Sequence, residues 1–322
     1  MKTDSLKISI DNPMTKEAGQ ASNTPKDISI IIPSKNRISG VEELLGDIRR
    51  QDYPQTKLEI VIIDDGSDEP YLLSDQEVQV IRHESSQGAQ RSRNEGLEAA
   101  CGEIALIVDD DIELVDNDFI SKAMEIFRRY PRVAAVVSRK IDVLKIKAQE
   151  KLLEYSTSRP TFYSGDLINQ PNSEGPTKWG HGIYFVRREV LLNIGGYDGI
   201  YGLNGGHSFR EESDVHGRLR QNGYIIWYLP TITIKHHIVQ SGGHGGSTGK
   251  RLFWIAHNHI VFIRRYLSWW PLRGVGFLID VFRYSWVQGR FRYIIIMLGG
   301  YIAGWIDALR DRGPGRNLWL EQ

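Results

Sequence analysis

From residue 27 onward, short uninterrupted apolar runs alternate with amphipathic stretches. Ile28-Ser29-Ile30-Ile31-Ile32 reads as a buried strand ending at Pro33. Ser39 followed by Glu42 fits a capping box that opens a helix running to about Gln51. Leu58 to Ile63, Val78 to Ile81, Ile104 to Val108 and Val133 to Val137 read as further buried strands. Gly88 to Ala100 and Asp118 to Tyr130 read as helices between them. After Pro230, Thr231 to Lys235 reads as one more strand.

Strands that alternate with helices predict an α/β fold, with a mostly parallel sheet and helices on both faces. Ligands of such sheets sit beyond the C-terminal strand ends, where the strand order reverses. The residues that follow each strand are therefore where chemistry is expected.

The first strand ends in Pro33-Ser34-Lys35-Asn36-Arg37, the second in Asp64-Asp65-Gly66-Ser67, and a later one in Asp109-Asp110-Asp111. Either acidic cluster alone is compatible with a solvated turn. Three successive aspartates repel one another, and a bound divalent cation offsets that repulsion. Oxygen ligands suit Mg²⁺ or Mn²⁺, which also hold substrate phosphates. A metal-bound diphosphate in a nucleotide-binding crevice follows. Asp65 could then accept a hydrogen bond from a base N–H. Arg91 and Arg93 could offset phosphate charge, or form a solvated helix face.

Ile-Ile-Pro-Ser-Lys-Asn-Arg at 31–37, Val-Ile-Ile-Asp-Asp-Gly-Ser-Asp at 61–68, Arg-Asn-Glu-Gly at 93–96 and Gly-Glu-Ile-Ala-Leu-Ile-Val-Asp-Asp-Asp at 102–111 together resemble family 2 glycosyltransferases of the GT-A fold. The resemblance spans about Asp27 to Arg265. It implies an inverting, nucleotide-sugar-dependent transferase of the hexosyltransferase kind. It also implies a donor site drawn from Pro33, Lys35, Asn36, Asp64, Asp65, Arg93, Asn94, Asp109 and Asp110, and a metal held by Asp109 and Asp111.

The pattern continues in Trp179 to Arg188 and Ile194 to Asp198, which look like the segment closing the acceptor side. Phe209-Arg210-Glu211-Glu212-Ser213-Asp214 resembles the family's acidic motif at a helix N-terminus. The usual pair there is Glu-Asp, whose second acid is the catalytic base. Glu212 takes that position here, with Glu211 and Asp214 as alternatives. Asp214 and Arg218 are four apart and can pair on one helix face, which favours a structural Asp214. A histidine near His236 resembles a third metal ligand, and His237 is its alternative. The Gln-x-x-Arg-Trp motif of processive synthases is absent, which favours one sugar per binding event.

Composition adds limits. The 322 residues are 41% hydrophobic and 25% charged, which excludes wholesale disorder. The formal net charge of zero argues against nucleic acid as a partner. Cys101 is the only cysteine, so no intramolecular disulfide or cysteine-based zinc site exists, and a reducing compartment is favoured. Residues 1–26 are polar and lack a signal-peptide core, so a flexible cytosolic tail is expected. Gly242 to Lys250 superficially resembles a phosphate loop, but His244 and Arg251 break that template. A mobile loop over the donor is the expectation there, with a linker as the alternative.

Charge is unevenly placed. Residues 251–322 hold ten arginines against four acids, and six of the eight tryptophans. Their longest uncharged run, Tyr293 to Ile306, has fourteen residues, short of the ~20 that span a bilayer. Trp and Arg on amphipathic helices suit the membrane interface, and a packed helical cap or a dimer surface is the alternative. The expected organisation is a tail (1–26), a catalytic domain (27–250) and an aromatic, arginine-rich helical region (251–322). Within the catalytic domain, residues 27–140 form the nucleotide half and 141–250 the acceptor half. The expected activity is transfer of a sugar from a nucleotide-diphospho-sugar donor to a glycan or lipid-linked acceptor. The expected location is cytoplasmic, with peripheral contact at the inner membrane face. Two rival readings remain, a metal-dependent phosphotransferase or phosphatase and a non-catalytic membrane-associated binding protein.

Overall fold

The computed structural model describes residues 25–73, 77–146, 149–154, 173–202, 209–238, 248–267, 270–287 and 291–310. The tail over 1–24, most of the glycine-rich loop, Trp269 and much of 141–178 lie outside the described residues.

Four parallel strands open the sheet: β1 (Ile28–Ser34), β2 (Leu58–Asp64), β3 (Val78–Arg82) and β4 (Ile104–Ile107), ordered β3-β2-β1-β4. Alternation along β1 decides what each face holds. Ile30 and Ile32 pack with Val41, Leu44 and Ile48 of α1 (Ile38–Arg49) and with Phe119, Ile120 and Phe127 of α3 (Phe119–Arg129). Ile31 packs on the other face with Leu97 of α2 (Ala89–Ala99), Leu191 of α4 (Arg188–Asn193), and Val215 and Leu219 of α5 (Glu211–Gln221). Gly96 lets α2 approach closely, because a Cβ there would lie 2.4 Å from a methyl of Ile31.

The rest of the sheet is mixed, with antiparallel strands added to the parallel ones. The order continues through β9 (Tyr184–Arg187), β6 (Val133–Ile146), β10 (Ile225–Ile238) and β5 (Ile112–Leu114). β9 is antiparallel to both β4 and β6, while β6 and β10 are parallel. The short strands β7 (Gln149–Glu154) and β8 (Gly175–Thr177) add antiparallel edges. The reversal has a consequence for the site. Tyr184 pairs with Ile107, so residues just before β9 arrive at the C-terminal end of β4, beside the three aspartates.

Two boundaries differ from expectation for local reasons. Ser39 lies inside the first turn of α1, whose N-cap is Arg37, and no side chain caps it. The Arg37 N–H instead donates to Tyr71 Oη at 2.8 Å. β10 also runs straight through Pro230 rather than starting after it. Proline has no N–H to give the ladder, and the register against β6 shifts between Leu229 and Thr233.

The expected boundary at residue 250 falls inside α6 (Thr248–Tyr266), which is built into the catalytic body. Arg265 lies 2.9 Å from Asp198 and 2.7 Å from Asp214, and all three are buried or nearly so. Asn258 donates to the carbonyls of Tyr201 and Phe209. α7 (Trp270–Val287) and α8 (Arg292–Arg310) follow. α8 packs on α6 where Gly300 and Gly304 meet the backbone of Phe253 and His257. Residues Tyr293–Arg310 form a helix long and apolar enough to cross a membrane, with mean hydropathy 1.3.

Candidate active site

The C-terminal strand ends collect the expected motifs along one edge. Two kinds of residue are found there: those that build the turns, and those left to act.

Asp64, Asp65, Asn36 and Asn94 build. Asp64 is fully buried, accepts from Ser67 N at 2.9 Å and pairs with Arg82. Asp65 accepts from His83 Nδ1, Gln87 N, Ser86 Oγ and Gly88 N at 2.6–3.0 Å, and so holds the loop that leads into α2. Both of its oxygens are engaged by protein donors, so a base N–H would have to share one. Asn36 adopts a left-handed backbone (φ 55°) and brackets Asp68 with two hydrogen bonds. Asn94 exchanges two hydrogen bonds with the backbone of Tyr197, joining α2 to the segment after α4. Pro33 is buried in β1 opposite Ile63, and Lys35 is half-buried at its end. Arg91 faces solvent.

The three aspartates diverge. Asp109 accepts from Arg93 Nη2 at 2.8 Å and keeps about a third of its side chain exposed. Asp110 is buried between Ser34 Oγ (2.6 Å) and Arg37 (2.8 Å). Burial pushes its carboxyl up to about 7 against the pull of Arg37 and Ser34, with Asp111 and Asp109 adding to the rise. Asp111 lies 3.3 Å from Arg37 and 3.5 Å from His236 Nε2. Burial would raise its pKa, but His236 and Arg37 outweigh that and hold it low.

Pairing of β10 with β5 puts His236 opposite Ile112, which brings it to Asp111. Its Nδ1 is fixed by Asp142 at 2.8 Å. Burial works against the imidazolium, yet Asp111 and Asp142 raise His236 to about 9. His237 points elsewhere and pairs with Glu113 at 2.9 Å. Among the described residues, no three His, Cys, Asp or Glu side chains form a ready-made metal cage. The donor set nonetheless fits a hard cation. Asp111 Oδ1 is buried without a hydrogen-bond partner, a neighbouring imidazole is anchored at its far nitrogen, and Asp109 is partly open.

The acidic motif at α5 sorts its three carboxylates by environment. Asp214 is fully buried and accepts from Arg218 Nε (2.8 Å), Arg265 Nη1 (2.7 Å) and Tyr266 Oη (2.6 Å). It is a structural hub. Glu211 is buried, with one oxygen 3.1 Å from Arg93 Nη1 and the other unpartnered. Burial and the charge of Glu212 push it up to about 8 against Arg93. Glu212 is half-buried in the first helical turn beside Gly182 and, among the described residues, has no hydrogen-bond or ion-pair partner. An unengaged carboxylate at a helix N-terminus can accept a proton.

Sequence reasoning assigned no role to Ser34, Arg37, Tyr71 or Asp142, which brace the aspartates and His236. Ser34 and Arg37 stand within the first motif, but only the fold shows what they touch. Tyr71 and Asp142 have no local signal.

The sequence pattern of glycosyl transferase family 2 matches residues 29–194, more than half of the chain. The chain belongs to that family. An uncharacterized glycosyltransferase of Haemophilus influenzae is 29% identical over 174 residues, covering 52% of this chain and 55% of the relative. The chain thus spans about half the length of that relative. Among solved structures, a mannosyltransferase from Pyrobaculum calidifontis, in complex with GDP-Man and Mn²⁺, superposes with TM-score 0.52 at 18% identity, covering 90% of this chain and 89% of the other. Residues 1–349 of S. aureus TarS with UDP-GlcNAc give TM-score 0.53 at 17% identity, covering 77% of this chain and 69% of the other. These superpositions establish the shared fold.

Proposed function

We propose that this family 2 protein is an inverting glycosyltransferase that moves a sugar from a nucleotide-diphospho-sugar to a hydroxyl of a glycan or lipid-linked acceptor. The observation that carries the reading is one edge holding two separated acidic sites. Asp109 and Asp111 with His236 lie at the ends of β4 and β10, and an unengaged Glu212 lies at α5.

In this reading, Asp109, Asp111 and His236 would hold Mn²⁺ or Mg²⁺, which when bound supplies positive charge beside the donor diphosphate. The Mn²⁺ and GDP-Man of the similar mannosyltransferase accord with this donor class. Arg93 and Arg37 fix the aspartates that surround that charge. Glu212 takes the proton of the acceptor hydroxyl as its oxygen attacks the anomeric carbon. The bond to the diphosphate breaks on the opposite face, so a single displacement inverts the centre. No glycosyl-enzyme intermediate is needed, unlike the two-step chemistry of retaining glycosidases. A phosphotransferase with its aspartates after the first strand is disfavoured, because β1 ends in Pro33-Ser34 and the aspartates follow β4.

The C-terminal helices are proposed to rest on the inner membrane face. α7 exposes Leu272, Val275, Ile279 and Phe282, and α8 exposes Ile295, Ile302, Ile306 and Leu309. Asp307 of α8 is held 3.0 Å from His257 of α6, so α8 stays tied to the catalytic body, which suits a peripheral attachment. The deciding experiment is a thermal-shift screen of nucleotide-diphospho-sugars with Mn²⁺, followed by sugar transfer to extracted glycans and lipids. If no nucleotide-sugar binds and none is turned over, the reading fails.

A further inference from the structure

Arg93, Arg210, Arg218 and Arg265 gather around the buried side of α5. Arg93 pairs with Asp109 and Glu211, Arg218 with Asp214, and Arg265 with Asp198 and Asp214. Arg210 is the exception. Among the described residues no carboxylate comes within ion-pair distance of it, and residues 203–208, which precede it closely in the chain, contain no acid. Its guanidinium lies 5.0 Å from the ring centre of Phe209 and 5.3 Å from that of Phe262, with Nη2 3.3 Å from His259 Nδ1.

Two donors here lack acceptors. Arg210 Nε is sealed from solvent without a partner. His259 is buried, and because its Nδ1 accepts from Arg210, the proton of the neutral ring sits on Nε2, which is also unpartnered. Burial lowers the Arg210 pKa to about 10, with Glu212 and Tyr201 opposing, and drives His259 well below its usual range, where the charge of Arg210 adds to the fall. A guanidinium whose Nε–H lacks an acceptor, beside a second unpartnered ring N–H, leaves two buried donors that an anion would satisfy.

Position says which substrate brings the anion. Arg210 adopts a left-handed backbone (φ 74°), rare for a residue with a side chain, so the chain turns there before Glu211 and Glu212 start the helix. Its side chain lies on α6, whereas the Arg93–Glu211 hydrogen bond ties α5 to the aspartate edge. Arg210 is thus two residues from the proposed base, on the acceptor side. His259 packs against Phe277 of α7 with ring centres 4.6 Å apart. The outer face of that helix exposes Leu272, Val275, Ile279 and Phe282 at helical spacing. By helical phase Phe277 lies on the face of α7 opposite this stripe, so α7 itself stands between the unpaired cation and the exposed apolar surface.

Resting on the transferase reading above, we propose that Arg210 and His259 bind a phosphate group on the acceptor, and that this phosphate is carried by an amphiphile whose apolar chain lies along α7. The excess of ten arginines over four acids in residues 251–322 favours an anionic, lipid-borne source over a free phosphate.

Calorimetry on the full chain with Mn²⁺ tests this. The probes are dodecyl phosphate below its micellar concentration, dodecanol, glycerol phosphate, and the nucleoside diphosphate identified in the thermal-shift screen. Dodecyl phosphate is expected to bind at least about tenfold more tightly than dodecanol or glycerol phosphate, and Arg210→Gln to lose about tenfold or more of that affinity, the usual scale of a charge-assisted contact. Nucleotide affinity is expected to stay unchanged in the variant. Equal binding of dodecanol removes the phosphate contact, and equal binding of glycerol phosphate removes the lipid source. A parallel loss of nucleotide affinity moves Arg210 to the donor site. Each of these outcomes overturns the proposal. If Arg210→Gln does not fold, Arg210→Lys replaces it, since losing the forked contact should still weaken dodecyl phosphate several-fold. Unchanged affinity there also overturns it. A wild-type protein that binds dodecyl phosphate but no nucleotide would sink the transferase reading and leave the phosphate site standing.

Discussion

Arg93 Nη1 lies 3.1 Å from Glu211 Oε1, and the same guanidinium reaches Asp109 at 2.8 Å through its other nitrogen. One buried cation from α2 thus joins the aspartate edge to the start of α5. The carboxylate beside the proposed base is thereby fixed, while Glu212 itself is left unengaged. The roles of the three acids of this motif follow from these partners.

Glu212→Gln should lower turnover by about 10²–10⁴-fold with nucleotide affinity and melting temperature nearly unchanged. Asp214→Asn should instead cost about 3–5 kcal/mol of stability, because it leaves Arg218 buried without its charge partner and Arg265 with Asp198 alone. Steady-state kinetics and denaturant unfolding of both variants check the assignment. An Asp214→Asn protein of normal stability but abolished turnover would contradict it.

Glu211 gives the fold a pH dependence. Its pKa rises from 4.5 to about 8 through burial and Glu212, against Arg93. A carboxyl with a raised folded pKa stays protonated in the folded state while the unfolded chain releases its proton. Its contribution is therefore full below about pH 4.5 and is lost as pH rises towards 8. Unfolding free energies measured between those limits should fall less steeply in Glu211→Gln than in wild type. Parallel curves would show that Glu211 titrates normally.

Asp111→Asn should abolish metal-dependent nucleotide binding and leave the fold intact, since Arg37 and His236 retain Asp110 and Asp142 as partners. Calorimetry with and without Mn²⁺ is the readout. Unchanged affinity and metal dependence would remove Asp111 from the metal site.

At Gly300 an added Cβ would lie 2.1 Å from the Phe253 carbonyl oxygen on α6. Gly300→Val should therefore push the two helices apart and cost about 1–3 kcal/mol, the usual scale of overpacking. Substitution at exposed Gly299, where the nearest atom is a side-chain carbon of Phe253 at 3.7 Å, should cost far less. Equal melting temperatures for the two variants would rule out this close approach.

The intact protein should co-sediment with anionic vesicles and be released by salt, as arginine-rich amphipathic surfaces are. Substituting Leu272, Val275, Ile279 and Phe282 together by serine should abolish sedimentation without loss of nucleotide binding. Full retention of vesicle binding by that variant would place the contact elsewhere.

Much of the nucleotide half was legible from local pattern alone. Ile28–Pro33, Leu58–Ile63 and Ile104–Val108 are apolar because both of their faces are covered, and the acids that follow them must then share one sheet edge. The i,i+4 spacing of Asp214 and Arg218 likewise announced their ion pair. The remainder depended on contacts distant in sequence. That Asp65 is consumed by the loop at 83–88, that β9 enters antiparallel, and that His236 rather than His237 meets Asp111 follow from strand pairing, which local periodicity does not encode. α6 carries three of the ten arginines and one of the six tryptophans that mark residues 251–322 as a separate region. Its burial is set by Asp198 and Asp214, some fifty residues or more away, because a guanidinium with two carboxylates to meet is stable inside the fold and one without them is not.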